Sequence, residues 1–170
     1  MSSPPSSSPA QAPSPLPRLS LDQLAQAFLD LTLPRAQWTH EAHLRVGAWH
    51  VHRFGAALAL PHLREGICRL NLAHGGANTA TGGYHETITA AYVRLIADFL
   101  ARDADDARQT PHPRQTLDAQ VQRLLASPLA EKDTLLRFWS RALLMSPPAR
   151  AGWVPPDLAP LPPSPDAGAR

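Results

Sequence analysis

Cysteine is almost absent from this chain. Cys68 is the only one in 170 residues, so no intrachain disulfide can form, and a reducing compartment such as the cytoplasm is the natural setting. Lysine is as scarce: Lys132 stands alone among arginines, and the net charge is only +2. The basic residues do not cluster, so no nucleic-acid-binding stripe is visible. Long apolar runs are missing too. Stretches such as Ala56–Leu60 fall far short of the ~20 residues needed to cross a bilayer, which argues against a membrane partner. The first residues carry no cation before Arg18 and no apolar core, so they do not read as a secretory signal.

Proline, by contrast, is abundant and uneven. Of 19 prolines, six lie in the first 17 residues, eight lie from Pro147 onward, and five are spread through the 129 between. Proline fixes φ and lacks a backbone donor, so it is excluded from most regular structure. The distribution predicts a disordered Ser/Pro/Ala-rich leader over 1–18 and a single folded unit over 19–162. A disordered tail follows over 163–170.

Within the folded unit the apolar periodicity is helical throughout, with no sustained two-residue alternation. Ser20 and Gln23 have capping-box spacing before the stripe Leu21, Leu24, Phe28 and Leu31. A second helix is expected from Ala36 or Thr39 to Arg53, with Gly55 as its stop. A third is expected from Pro61 to about Ala73, and a fourth from Tyr84 to Arg102 after the Gly-rich stretch His74–Gly83. Leu117–Leu125 and Leu135–Leu144 suggest two more, with Asp103–Pro113 as a polar connection. The expected fold is all-α, a bundle of five to six helices with an extended Pro-rich C-terminal arm.

The chemistry is concentrated in the histidines. His40 and His43 are three residues apart on the second helix, and His85 with Glu86 opens the fourth. Imidazoles from one helix, joined by an imidazole and a carboxylate from another, suit a divalent transition metal, Zn or Fe above all. The run His40-Glu41-Ala42-His43 is one residue too short for the zinc-protease helix motif, and Thr89 stands where a second histidine would be needed after His85. The protease reading is therefore rejected. Tyr84, beside His85, can orient a substrate or simply pack. His50 and His52 are weaker candidates, and His62, His74 and His112 read as solvent or loop residues. Trp38, Trp49 and Cys68 read as packing.

Three stretches carry a resemblance: Trp38-Thr39-His40-Glu41-Ala42-His43-Leu44, Gly83-Tyr84-His85-Glu86-Thr87-Ile88-Thr89, and Ser146–Arg150 running on to Trp153-Val154 and Pro156–Pro162. In them the chain resembles an uncharacterised family of small bacterial all-α proteins. The resemblance implies that His40, His43, Tyr84, His85, Glu86 and Thr87 are signature positions, and it supplies no reaction. It also implies that the C-terminal arm is ordered to about Leu161, laid over the bundle with Trp153, Val154, Leu158 and Leu161 buried.

Three functions follow from these residues. The first is a metal-dependent enzyme acting on a small molecule, with His40, His43 and His85 on the metal and Glu86 and Tyr84 as catalytic groups. Hydrolase, lyase and non-haem iron chemistry all stay open. The second is a non-catalytic module that binds a small ligand or metal. The third is a structural or adaptor bundle. No sequence feature forces an oligomer, although a homodimer is compatible with a bundle of this size.

Overall fold

The computed structural model describes residues 18–109 and 116–162. The leader before Arg18, the tail after Pro162 and His112 lie outside the described residues. Among those described, the chain is all-helical, in the order expected of a bundle.

Helix α1, Leu21–Leu29, starts where its cap dictates. The Gln23 N–H donates to Ser20 Oγ at 3.2 Å, and the Ser20 N–H donates to Gln23 Oε1 at 2.9 Å. Both members of the capping box are thus in place. Leu21, Leu24, Ala25 and Phe28 bury one face. The helix ends with Leu31 at φ 60, a left-handed turn that a branched side chain adopts only under tertiary constraint.

Thr39 caps α2, His40–Ala73, by accepting from the Ala42 N–H at 3.2 Å. This element fuses the two expected helices. Gly55, at φ 74 and ψ 163, breaks the ladder, and helical geometry resumes at once instead of waiting for Pro61. The Ala/Leu-rich run after Gly55 has high helix propensity. Pro61 then falls inside the second half, where it removes one ladder donor near the helix start. The kink lets both halves of α2 pack on α3, Glu86–Gln109.

Helix α3 runs past the expected end at Arg102. Arg102 pairs with Asp98 one turn back at 2.9 Å, and Asp103 faces Arg123 of α4, Leu117–Leu125, at 2.6 Å. The second pair holds Asp103, the first acidic residue of the expected connection, against α4. Residues 110–113 of the predicted connection lie outside the described residues.

The expected helix over Leu135–Leu144 is replaced by shorter pieces. A 3-10 turn at Thr134–Arg137 leads to α5, Arg141–Leu144, and then α6, Pro147–Ala151. Ser140 restarts the chain as a cap for Leu143, while its own N–H goes to Asp157 Oδ1 at 2.7 Å. Trp139 at this break is fully buried and donates from its indole N–H to the Val154 carbonyl at 3.1 Å.

The C-terminal arm differs from expectation in two respects. Pro147 and Pro148 open the helix α6 rather than an extended strand, a position proline tolerates. Beyond Gly152 the chain leaves regular structure and bends at residues 157–159, with Val154 and Leu161 packed on the cluster around Trp139. Trp153 and Leu158, however, stay 41% and 60% exposed. Trp153 keeps one side on the bundle, edge-on to the buried Trp139 ring at 5.6 Å, and its ring lies 5.7 Å from the Arg94 guanidinium carbon.

Candidate functional site

The turns at the start of α2 and α3 do different jobs. Around α3 the residues form a clasp for the C-terminal segment. Gly83 has φ +77, and a Cβ there would collide with the Ala77 carbonyl, so glycine alone fits. Asn78 shapes the preceding loop: its Oδ1 accepts from Asn71 Nδ2 at 2.9 Å and the Tyr84 N–H at 3.0 Å. His85 is buried and donates from Nε2 to the Leu144 carbonyl at 2.9 Å, while its Nδ1 accepts from the Ile88 N–H. Thr87 Oγ1 donates to the Gly152 carbonyl at 2.7 Å and accepts from the Val154 N–H at 3.0 Å. Arg150 donates to the carbonyls of Gly83 and Tyr84.

Glu86 lies in the same clasp. Arg64 of α2 grips its carboxylate with two donors, Nε at 2.8 Å, and the Tyr84 hydroxyl donates to it at 2.7 Å. The Arg64 contact holds the Glu86 carboxyl below its usual range. Burial, reinforced by Glu86, pushes the Tyr84 phenol well above its usual value. Glu86 is thus a fixed anion and Tyr84 a fixed donor. Both nitrogens of His85 are likewise engaged.

The start of α2 instead opens onto a cavity of about 300 Å³. His40, His43, Leu44 and Gly47 supply one wall, at helical spacing. Leu63 and Ile67, beyond the Gly55 kink, supply a second, and Ile88, Thr89, Tyr92, Val93 and Ile96 of α3 a third. Trp38 closes one side, stacked on His43 with ring centroids 3.8 Å apart. Among the described residues no acidic, lysine or arginine side chain lines this space.

Its polar groups are few and have defined states. His43 Nδ1 lies 2.7 Å from the Thr39 carbonyl. A carbonyl only accepts, so Nδ1 carries the proton and the neutral ring keeps its lone pair on Nε2. His40 packs edge-on against Tyr92 at 5.6 Å, and its Nε2 is buried with no partner. Desolvation lowers the pKa of His40, with Lys132 acting the same way and the Ala130 carbonyl opposing. Desolvation lowers His43 as well, although that residue keeps solvent access. Burial pushes the Tyr92 phenol up to about 12. The cavity is therefore uncharged at neutral pH.

Of the residues read as a metal and catalytic set, the structure brings His40 and His43 to one cavity and assigns His85, Glu86 and Tyr84 to the clasp. Among the described residues no three His, Cys, Asp or Glu side chains form a metal-holding group. Sequence reasoning missed Arg64 as the partner of Glu86 and gave Thr87 no role. It took Trp38 for packing alone. His74, read as a loop residue, ends α2 and bonds through Nε2 to the Leu33 carbonyl at 2.8 Å. No described helix is long and apolar enough to cross a membrane. Comparison of the chain with protein-family models, with curated proteins and with solved structures finds no match in any of the three.

Proposed function

We propose that this protein is a non-catalytic binding module for a small, neutral, largely apolar molecule, held in the cavity between α2 and α3. The observation that carries this reading is the unpartnered, buried Nε2 of His40, a residue that lines a largely apolar cavity. Leaving such a nitrogen unpaired costs about 1–3 kcal/mol, and a ligand with one polar group removes that cost while burying its apolar body. An apolar cavity of ~150 Å³ holds benzene, so the larger space here suits two fused rings.

Trp38 is the only tryptophan lining the cavity, so its emission reports occupancy. Indole-sized cyclic alcohols that do not absorb with tryptophan are expected to change that emission saturably. Filling the space with Ile67→Trp is expected to abolish binding without unfolding the bundle. Saturation unchanged in that variant would refute the cavity as the site.

A metal-binding reading is second. Three-residue spacing puts His40 and His43 on one helical turn, and the Thr39 carbonyl fixes His43 in the tautomer that presents Nε2, as ligand histidines are fixed. The protein would supply two nitrogens, and water or substrate the rest. Titration with Zn²⁺ separates the readings, because loss of a stoichiometric signal in His43→Phe supports the metal. Equal weak uptake by both proteins removes it.

A further inference from the structure

A second cavity, sharing no residue with the first, lies where the Gly55 kink folds the two halves of α2 toward the end of α1. It measures about 240 Å³. His50 and Phe54 line it from before the kink, one turn apart. His62, Glu65 and Arg69 line it from one stripe after the kink, and Leu31 comes from the turn that follows α1.

Three features of this space are chemically distinct. First, His50 is 0% exposed and its Nε2 has no partner. Its Nδ1 sits 2.8 Å from the Val46 carbonyl, so the proton is on Nδ1 and Nε2 is an acceptor. Burial keeps the ring neutral by lowering its pKa. Its other close neighbours are the rings of Phe28, Trp49 and Phe54; the two phenyl rings have no donor, and the Trp49 indole N–H already goes to Asp22. Second, Glu65 and Arg69 place an anion and a cation 3.5 Å apart on the same stripe, at 71% and 56% side-chain exposure. A pair so exposed contributes little to stability and opens easily. Third, Phe54 and Leu31 give apolar wall, Phe54 being held edge-on by His62 at 4.6 Å.

We propose that this cavity binds a free α-amino acid with an apolar side chain, as its zwitterion. The ammonium group has three donors, enough for the Glu65 carboxylate and, once the side chains that seal the 0%-exposed His50 ring move aside, for its lone pair as well. The carboxylate takes the Arg69 guanidinium. The two ligand charges are joined through one carbon, so their separation resembles that of the ion pair they replace. The side chain packs against Phe54 and Leu31. Neither charge of the ligand is left unpaired, which is the condition for burying a zwitterion.

The test is calorimetric titration of the full chain with L-leucine and L-phenylalanine. Isopentylamine and 4-methylpentanoic acid, each lacking one charge, are the controls. L-Leucine or L-phenylalanine is expected to bind with saturation, and either control at least tenfold more weakly. Glu65→Gln and Arg69→Gln change exposed side chains, leave the fold intact, and are each expected to weaken amino-acid binding about tenfold. His50→Phe is expected to do the same, and the two surface variants decide the matter if that protein does not fold. Absence of saturation with both amino acids overturns the proposal. So does equal binding of isopentylamine, or unchanged affinity in both surface variants. Failure here leaves indole-sized ligands free to bind beside Trp38, so the two sites are judged separately.

Discussion

Thr87 and Gly152 are joined by a hydrogen bond of 2.7 Å between the threonine hydroxyl and the glycine carbonyl. The same hydroxyl accepts from Val154, 3.0 Å away. One buried oxygen thus ties the start of α3 to the C-terminal arm. Thr87→Val keeps the shape and strands two backbone groups, so it is expected to destabilise by about 2–4 kcal/mol. Thr87→Ser is expected to recover most of the loss. Urea denaturation measures both, and a loss below about 0.5 kcal/mol in the valine variant would remove the clasp from the account.

Gly83 supports the same clasp from its other side. Its φ of +77 and the carbonyl crowding a Cβ mean that Gly83→Ala carries both a left-handed backbone cost and a clash. The expected loss is about 2–4 kcal/mol. Amide exchange is expected to quicken around Arg150, which bonds the Gly83 carbonyl. Wild-type stability in this variant would contradict the backbone reading.

The pair Arg64 and Glu86 makes a distinct prediction for a double-mutant cycle. Arg64→Met leaves a nearly buried carboxylate without its cation. Arg64 is itself about half exposed, so the cost is discounted to about 1–2 kcal/mol. Adding Glu86→Gln is expected to restore part of that stability, since the stranded charge is then gone. Additive losses in the cycle would show the two residues to be independent.

Acid is expected to unfold the protein in two stages. Burial lowers the folded-state pKa of His85, and also of His40 and His50. The unfolded chain therefore takes up protons first, as pH falls through about 6.5. Stability from these rings is complete above that value and is lost toward their lower folded pKa values. Glu86, also lowered, gives stability present above its usual carboxyl pKa and lost as pH falls through its folded value. Denaturation midpoints between pH 7.5 and 5.5 should decline, with a smaller decline in His85→Gln. A midpoint flat across that range would contradict the buried, neutral assignment.

What could be read before folding was largely local. Ser20 with Gln23, and Thr39 before His40, announced helix starts because capping is decided within one turn. The stop at Gly55 was legible as a break, but not as a kink with helix on both sides, since only packing on α3 decides whether the chain continues. The site split for the same reason. His40 and His43 share a cavity because helical spacing puts them together. His85 and Glu86 are called away by partners 59 and 22 residues distant, Leu144 and Arg64, and no local spacing encodes those meetings. The partial exposure of Trp153 was hidden because its ring neighbours, Trp139 and Arg94, come from elsewhere in the chain.

The central claim is that His40 offers its lone nitrogen to a neutral, two-ring ligand. Calorimetry with indole and with benzothiophene, which matches its shape without the N–H, tests this most directly on wild type and His40→Phe. One hydrogen bond of about 1 kcal/mol is about fivefold in affinity. Indole is expected to bind one-to-one and about fivefold tighter than benzothiophene, with the difference gone in His40→Phe. Equal affinity for both ligands in wild type, or no saturable binding of either, would contradict the account.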